Sequence, residues 1–293
     1  MIQNMIGTDF FQALKEFDFL RHALEVNIIT GLISAPLGVL LVLRRMSLMG
    51  DALSHALLPG VAISYYFFGL SIPAMTLGGF LTGSLIIILT VFAEKFSPVK
   101  EDSNFAAFYL LSLSLGVLII SLRGNSGDLM HLLFGSPLTT TKEGLFTTLI
   151  VCCFVMLLFL RFQKYFLLEI FDPIYLKSRG YSPTLYQTLF LLMVVACLVV
   201  SFQTNGTLLA MGQLILPGII SRIWGRSTFS IYVLAIIISW VGSCLGLIIS
   251  YELDWPLGPT TLFLWGLSYL ASLLIHPSHG LLQRWHRKKH YGM

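Results

Sequence analysis

One short segment, Met49-Gly50-Asp51-Ala52-Leu53-Ser54-His55, carries two ionisable residues spaced to act together. On a helix, residues four apart share a face with their Cβ atoms about 5–6 Å apart, so the Asp51 carboxylate and the His55 imidazole converge on one point. Oxygen and nitrogen donors of this kind suit first-row divalent metals. The same pair could relay protons, or hydrogen-bond to each other with no ion between them, and spacing leaves all three open. Two donors fall short of the four that a metal site usually wants. Two copies of the chain facing each other would supply four, and symmetric dimers are the commonest oligomers.

The elements that must position this pair follow from composition. The 293-residue chain is 56% apolar and only 11% charged, with a mean hydropathy of +0.83. A soluble domain carries about 25% charged residues. This chain cannot cover a water-facing surface of its own and is an all-α integral membrane protein, with residues 1–293 forming one transmembrane domain. At roughly 20 apolar residues per span, the apolar runs predict helices over 24–43, 52–70, 72–93, 105–122, 144–160, 185–203, 206–221, 228–250 and 258–276. An eight-span bundle results if the first candidate or one of the 185–221 pair lies at the interface or re-enters. Residues 24–276 are thus membrane-embedded, and 277–293 form a basic tail. Burying Asp51 in a bilayer costs roughly 2.5–3.5 kcal/mol, which calls for a compensating partner such as a divalent cation.

Basic residues orient the bundle. Alternating the connections collects Arg44, Arg45, Lys95, Lys100, Arg161, Lys164, Lys177, Arg179, Arg222, Arg226, Arg284, Arg287, Lys288 and Lys289 on one side, against Lys15, Arg21, Arg123 and Lys142 on the other. The richer side is cytoplasmic. Nine spans then put the N-terminus outside and the C-terminus inside. The first 21 residues lack the layout of a cleavable signal peptide, so the first span is expected to stay as an anchor. The net charge of +4 therefore reports orientation, and the tail Arg284-Trp285-His286-Arg287-Lys288-Lys289-His290 suits anionic lipid better than nucleic acid. Cys152, Cys153, Cys197 and Cys244 all lie in apolar runs and give no disulfide framework.

Leu57-Leu58-Pro59-Gly60-Val61 and Ile215-Leu216-Pro217-Gly218-Ile219 echo each other. Paired interruptions in two halves can mark a transport pathway, which makes Pro59 and Pro217 candidates to line it; two independent kinks are the alternative. Glu25, near the outer end of the first span, reads as an interfacial residue, while Glu252 and Asp254 lie in an outer connection that reads as a solvated loop, with cation or partner binding the alternative. His131 lies in Asp128-Leu129-Met130-His131-Leu132-Leu133-Phe134-Gly135, which is patterned as a short amphipathic helix on the outer surface. No phosphate loop, H-E-x-x-H or G-x-S-x-G motif is present, so the chain hydrolyses no ATP by the Walker route and matches no zinc protease or serine hydrolase pattern.

The run Arg44-Arg45-Met46-Ser47-Leu48-Met49-Gly50-Asp51-Ala52-Leu53-Ser54-His55-Ala56-Leu57-Leu58-Pro59-Gly60-Val61-Ala62 closely resembles the signature of the membrane subunits of zinc, manganese and iron ABC importers. The resemblance continues through Lys100-Glu101-Asp102, Ser114 to Val117, Asp128 to Gly135, Phe171-Asp172-Pro173, Leu208 to Pro217 and Ser250 to Gly258. It implies an ATP-driven importer with two permease subunits, two separate cytoplasmic ATPases and an extracellular metal-binding protein. No permanently bound cofactor is implied; the metal is cargo, held at Asp51 and His55. The segment Phe171-Asp172-Pro173 to Gly180 resembles the coupling segment that docks on the ATPase, and Asp128, His131, Phe134 and Gly135 would form an outer gate or the face that receives the binding protein. Met211-Gly212-Gln213, Gly218-Ile219 and Pro256-Leu257-Gly258 depart from the family pattern, and Gln213 is a polar residue at membrane depth that could face the pathway. A proton-coupled secondary transporter, with Asp51 and His55 as the relay, is the rival; dependence on a separate ATPase separates the two.

Overall fold

The computed structural model describes residues 9–69, 71–93, 101–122 and 142–275. Its elements are α1 (Asp9–Glu16), α2 (Asp18–Leu43), α3 (Ser47–Ala56), α4 (Leu58–Phe68), α5 (Ile72–Ala93), α6 (Glu101–Leu122), α7 (Lys142–Phe171), α8 (Pro173–Ser178), α9 (Pro183–Trp224), α10 (Thr228–Leu253) and α11 (Leu257–Ile275). Among the described residues there are no strands. A helix satisfies every backbone polar group within its own segment, which apolar surroundings require. Serines and threonines do the same with their side chains: Thr90 donates to Ile86 O at 2.8 Å and Thr148 to Gly144 O at 2.8 Å.

Length and hydropathy qualify six of these helices to cross a membrane: α2, α5, α7, α9, α10 and α11. That is fewer than the expected nine, for three identifiable reasons. The expected 52–70 helix begins at Ser47 and is divided at Leu57 into α3 and α4, each too short alone. The apolar part of α6 covers only Ser103–Ile119. The expected helices 185–203 and 206–221 are joined in the 42-residue α9, where Gly206 alone leaves the helical region, with φ 78° and ψ 167°.

That one residue reverses the chain. Before it, Val195 packs by Gly83, Val199 by Gly79, and Gln203 accepts from Thr76 at 2.7 Å, so residues 183–205 run antiparallel to α5. After it, Leu208 and Leu209 lie beside Gly258, and Gly212 beside Leu262 and Trp265, so residues 207–224 run parallel to α11. They also run parallel to α2, with Gln213 by Gly31 and Gly218 by Gly38. After α2 the chain doubles back, with Gly38 and Gly50 both against Leu214, and α3 and α4 run antiparallel to α5, with Leu57 by Gly83 and Gly60 by Gly78; α2 and α5 therefore run the same way, and the two arms point in opposite directions. A straight 42-residue helix would span about 63 Å, twice the roughly 30 Å hydrocarbon core.

The apolar windows of α2 and α9 are 72% buried, whereas those of α5, α7, α10 and α11 are between 22% and 33% buried. The first pair therefore forms the centre and the others its apolar rim. Gly38 makes the centre: a Cβ there would collide with the carbonyl of Leu214, so only glycine lets α2 and the second arm of α9 approach this closely. Cys152, Cys153, Cys197 and Cys244 are all free.

Candidate functional site

The pair Asp51 and His55 is carried by α3, which is defined at both ends by local backbone chemistry. After α2, Arg45 N–H donates to Val42 O at 3.1 Å and Met46 N–H to Leu41 O at 2.9 Å, while Arg45 takes the left-handed conformation at φ 61°. This is a Schellman closure with arginine where glycine is usual. At the other end the chain breaks at Leu57, and the Ser112 hydroxyl of α6 donates to the freed Ala56 carbonyl at 2.8 Å. Met49, Gly50, Leu53, Ser54 and Ala56 face the interior, which turns Leu48, Asp51 and His55 outward.

Asp51 Oδ1 and His55 Nε2 are 3.9 Å apart, and their side chains are 57% and 40% exposed. At that distance the two do not hydrogen-bond. Donors each about 2.1 Å from a tetrahedral metal sit about 3.4 Å from one another, so a small side-chain adjustment lets both reach one ion. No group of three or more His, Cys, Asp or Glu residues converges among the described residues. Among the described residues the protomer thus offers two donors on an open face.

Pro59, Gln213 and Pro217 are all buried inside the protomer. Pro59 opens α4 just past the break and lies against Gly116 of α6. Pro217 stays within a continuous helical arm, so the two Pro-Gly echoes do not make matching interruptions. Gln213 is 0% exposed. Its Nε2 donates to Asn27 O at 2.8 Å and its Oε1 accepts from Thr30 at 2.9 Å, which ties the second arm of α9 to α2.

The segment from Phe171 to Gly180 is a capped turn with exposed apolar side chains. Asp172 accepts from Tyr175 N–H at 2.9 Å and caps α8, and Gly180, at φ 83°, turns the chain into α9. Leu176 is 1% exposed and anchors the segment, while Phe171 and Ile174 stand 67% and 81% exposed. A hydrogen bond to Tyr165 pushes the Tyr181 hydroxyl pKa up. Asp128, His131, Phe134 and Gly135 lie outside the described residues, as does the tail 277–293. Glu25 sits 3.8 Å from Arg21 and 3.4 Å from His22.

Sequence reasoning missed one contact. Arg44 Nη2 donates to Glu169 Oε1 at 2.9 Å, joining residues 125 apart, with each side chain only 10% exposed. It connects the turn that begins α3 to the end of α7, two residues before Phe171. The available signal was Glu169 itself, an acid within the apolar run Tyr165-Phe166-Leu167-Leu168-Glu169-Ile170-Phe171.

Apolar helices of spanning length, with an open carboxylate–imidazole pair and an exposed apolar turn between them, define a multi-pass membrane protein. The chain belongs to the ABC 3 transport family, which matches residues 16–276. It is 32% identical over 270 residues to the manganese import system permease protein ScaB of Streptococcus parasanguinis, covering 92% of this chain and 95% of that one. It is also 32% identical over 258 residues to the chelated iron transport system membrane protein YfeD of Yersinia pestis, covering 88% and 86%. The structure of PsaBC from Streptococcus pneumoniae in complex with Fab superposes with a TM-score of 0.83 at 31% identity, over 96% of this chain and 99% of that chain.

Proposed function

We propose that the protein is the permease subunit of an ATP-driven bacterial importer that carries a divalent transition metal across the cytoplasmic membrane. Manganese and iron are favoured by the names of the relatives; zinc rests on donor chemistry alone. The observation that carries this reading is the pair on α3: two metal-suited donors, 3.9 Å apart, open to the outside of the protomer, with no third donor beside them among the described residues. A second permease, a copy of this chain or a related one, would supply Asp51 and His55 again and close a four-donor site of mixed oxygen and nitrogen. One imidazole and one carboxylate per subunit hold a divalent ion without trapping it.

In this reading the chain makes nine passes: α2, α3 with α4, α5, α6, α7, the two arms of α9, α10 and α11. The N-terminus is then outside, and the sides of the basic residues agree. The segment Phe171, Asp172, Pro173 to Gly180 faces the cytoplasm and docks on a separate ATPase, whose nucleotide cycle drives alternating access. Asp128, His131, Phe134 and Gly135 serve the outer gate or the surface that receives an extracellular or periplasmic metal-binding protein.

The test is metal content by elemental analysis in cells limited for one metal at a time. Asp51→Ala and His55→Ala should each abolish transporter-dependent accumulation while membrane insertion and ATPase association persist. Normal accumulation in a well-expressed double variant refutes the proposal.

A further inference from the structure

A groove of about 650 Å³ runs between α5, α7 and the first arm of α9, lined by Leu77, Phe80, Ile150, Phe154, Leu192 and Ala196 among others. Its volume is that of an ordinary small-molecule site, but its chemistry is not. The two hydroxyls on its wall are already engaged: Thr76 with Ile72 O and Gln203, Thr147 with Glu143 O at 2.8 Å. Nothing polar inside the groove can orient a ligand, so its occupant there is an alkyl chain. Along α7 the groove extends from Thr147 to Leu158, about 16 Å at 1.5 Å per residue.

The polar end lies just beyond. Three and six residues past Leu158, about 5 and 9 Å further along the axis, Arg161 and Lys164 are exposed on α7. Arg161 sits over the Phe162 ring, 5.4 Å from its centroid, and Phe162 packs against Tyr186, one turn before the groove residue Leu189. Arg161 thus stands beside the contact between α7 and the start of α9. Among the described residues neither Arg161 nor Lys164 has a carboxylate partner; the nearby acid Glu169 is taken by Arg44.

We propose that this groove binds one acyl chain of an anionic phospholipid whose phosphate rests on Arg161 and Lys164. A long apolar trough with two unpaired cations at one end matches that amphiphile in both parts. Placing the lipid in the cytoplasmic leaflet rests on the orientation proposed above. The match of groove and cations does not, and lipid retention is read without transport, so the two proposals can fail separately.

The full-length protein, stripped of lipid in mild detergent, is incubated with dioleoyl-phosphatidylglycerol or dioleoyl-phosphatidylcholine, and retained lipid is counted by native mass spectrometry. The expected result is one phosphatidylglycerol per protomer, preferred about tenfold or more over phosphatidylcholine, as two surface cations would give. The surface variant R161Q/K164Q should bring the first lipid down to the level of the second, and A196W, which fills the groove, should remove both. Excess inorganic phosphate should displace neither, since the chain supplies the anchoring. Equal retention of the two lipids, unchanged preference in R161Q/K164Q, undiminished binding by A196W, or displacement by phosphate would each overturn the proposal.

Discussion

Glu169→Ala removes one partner of a buried ion pair and leaves the other charged. Arg44 then keeps a guanidinium that is 10% exposed, whose Nη2 has lost its 2.9 Å acceptor and whose Nη1 has no partner. Breaking such a pair costs about 3–5 kcal/mol, because the surviving charge is uncompensated. At about 2 °C per kcal/mol for a chain of this size, the unfolding midpoint should fall by roughly 6–10 °C. Replacing both residues with apolar ones of similar volume, Arg44→Met with Glu169→Leu, should restore most of the loss, since such replacements are often neutral or stabilising. The measurement is thermal unfolding of the purified protein in one detergent, arranged as a double-mutant cycle. If the losses of Arg44→Met and Glu169→Leu simply add in the double variant, the two side chains do not couple and the argument fails. The same cycle, read as uptake in cells, asks whether the contact matters beyond stability, because it joins the turn that starts α3 to the end of α7.

Other consequences can be checked one by one. Gly206→Ala forces an L-residue into φ 78° and ψ 167°, a conformation that costs about 1–3 kcal/mol outside glycine; membrane yield and thermal midpoint should both drop, and an unchanged midpoint would mean the reversal is made elsewhere. Phe171→Ser with Ile174→Ser alters side chains that are 67% and 81% exposed, so co-purification of the ATPase should weaken while the midpoint of the isolated permease stays within about 1 °C, as surface changes do. Leu176→Ala, by contrast, empties a site that is 1% exposed and should cost about 2–5 kcal/mol, visible as a lower midpoint.

Much of the helical order was legible in hydropathy, because runs of about twenty apolar residues have few other uses. The pair Asp51 and His55 stood out for a related reason: among so few charges, two that share a helix face are conspicuous. What escaped was set by contacts between distant segments. At Leu57 the local cause, Pro59, was visible, but the Ser112 hydroxyl of α6 that donates to the Ala56 carbonyl was not. Gln213 looked like a polar group facing a pathway, yet its partners Asn27 and Thr30 lie more than 180 residues earlier. Arg44 read as an orientation charge until Glu169, 125 residues away, met it. Hydropathy reports burial but not partners, and partners decide whether a buried polar group is structural or functional.

The break on either side of α3 has a mechanical consequence. Its ten residues form a plank about 15 Å long, set off from α2 by the left-handed Arg45 and from α4 at Leu57. Because Asp51 and His55 ride on the same plank, tilting it leaves their mutual geometry intact. Under the proposed pairing of two permeases, an ion would be let go by drawing one plank from the other rather than by distorting either. Each half of the site would then be ready to receive again as soon as the two return.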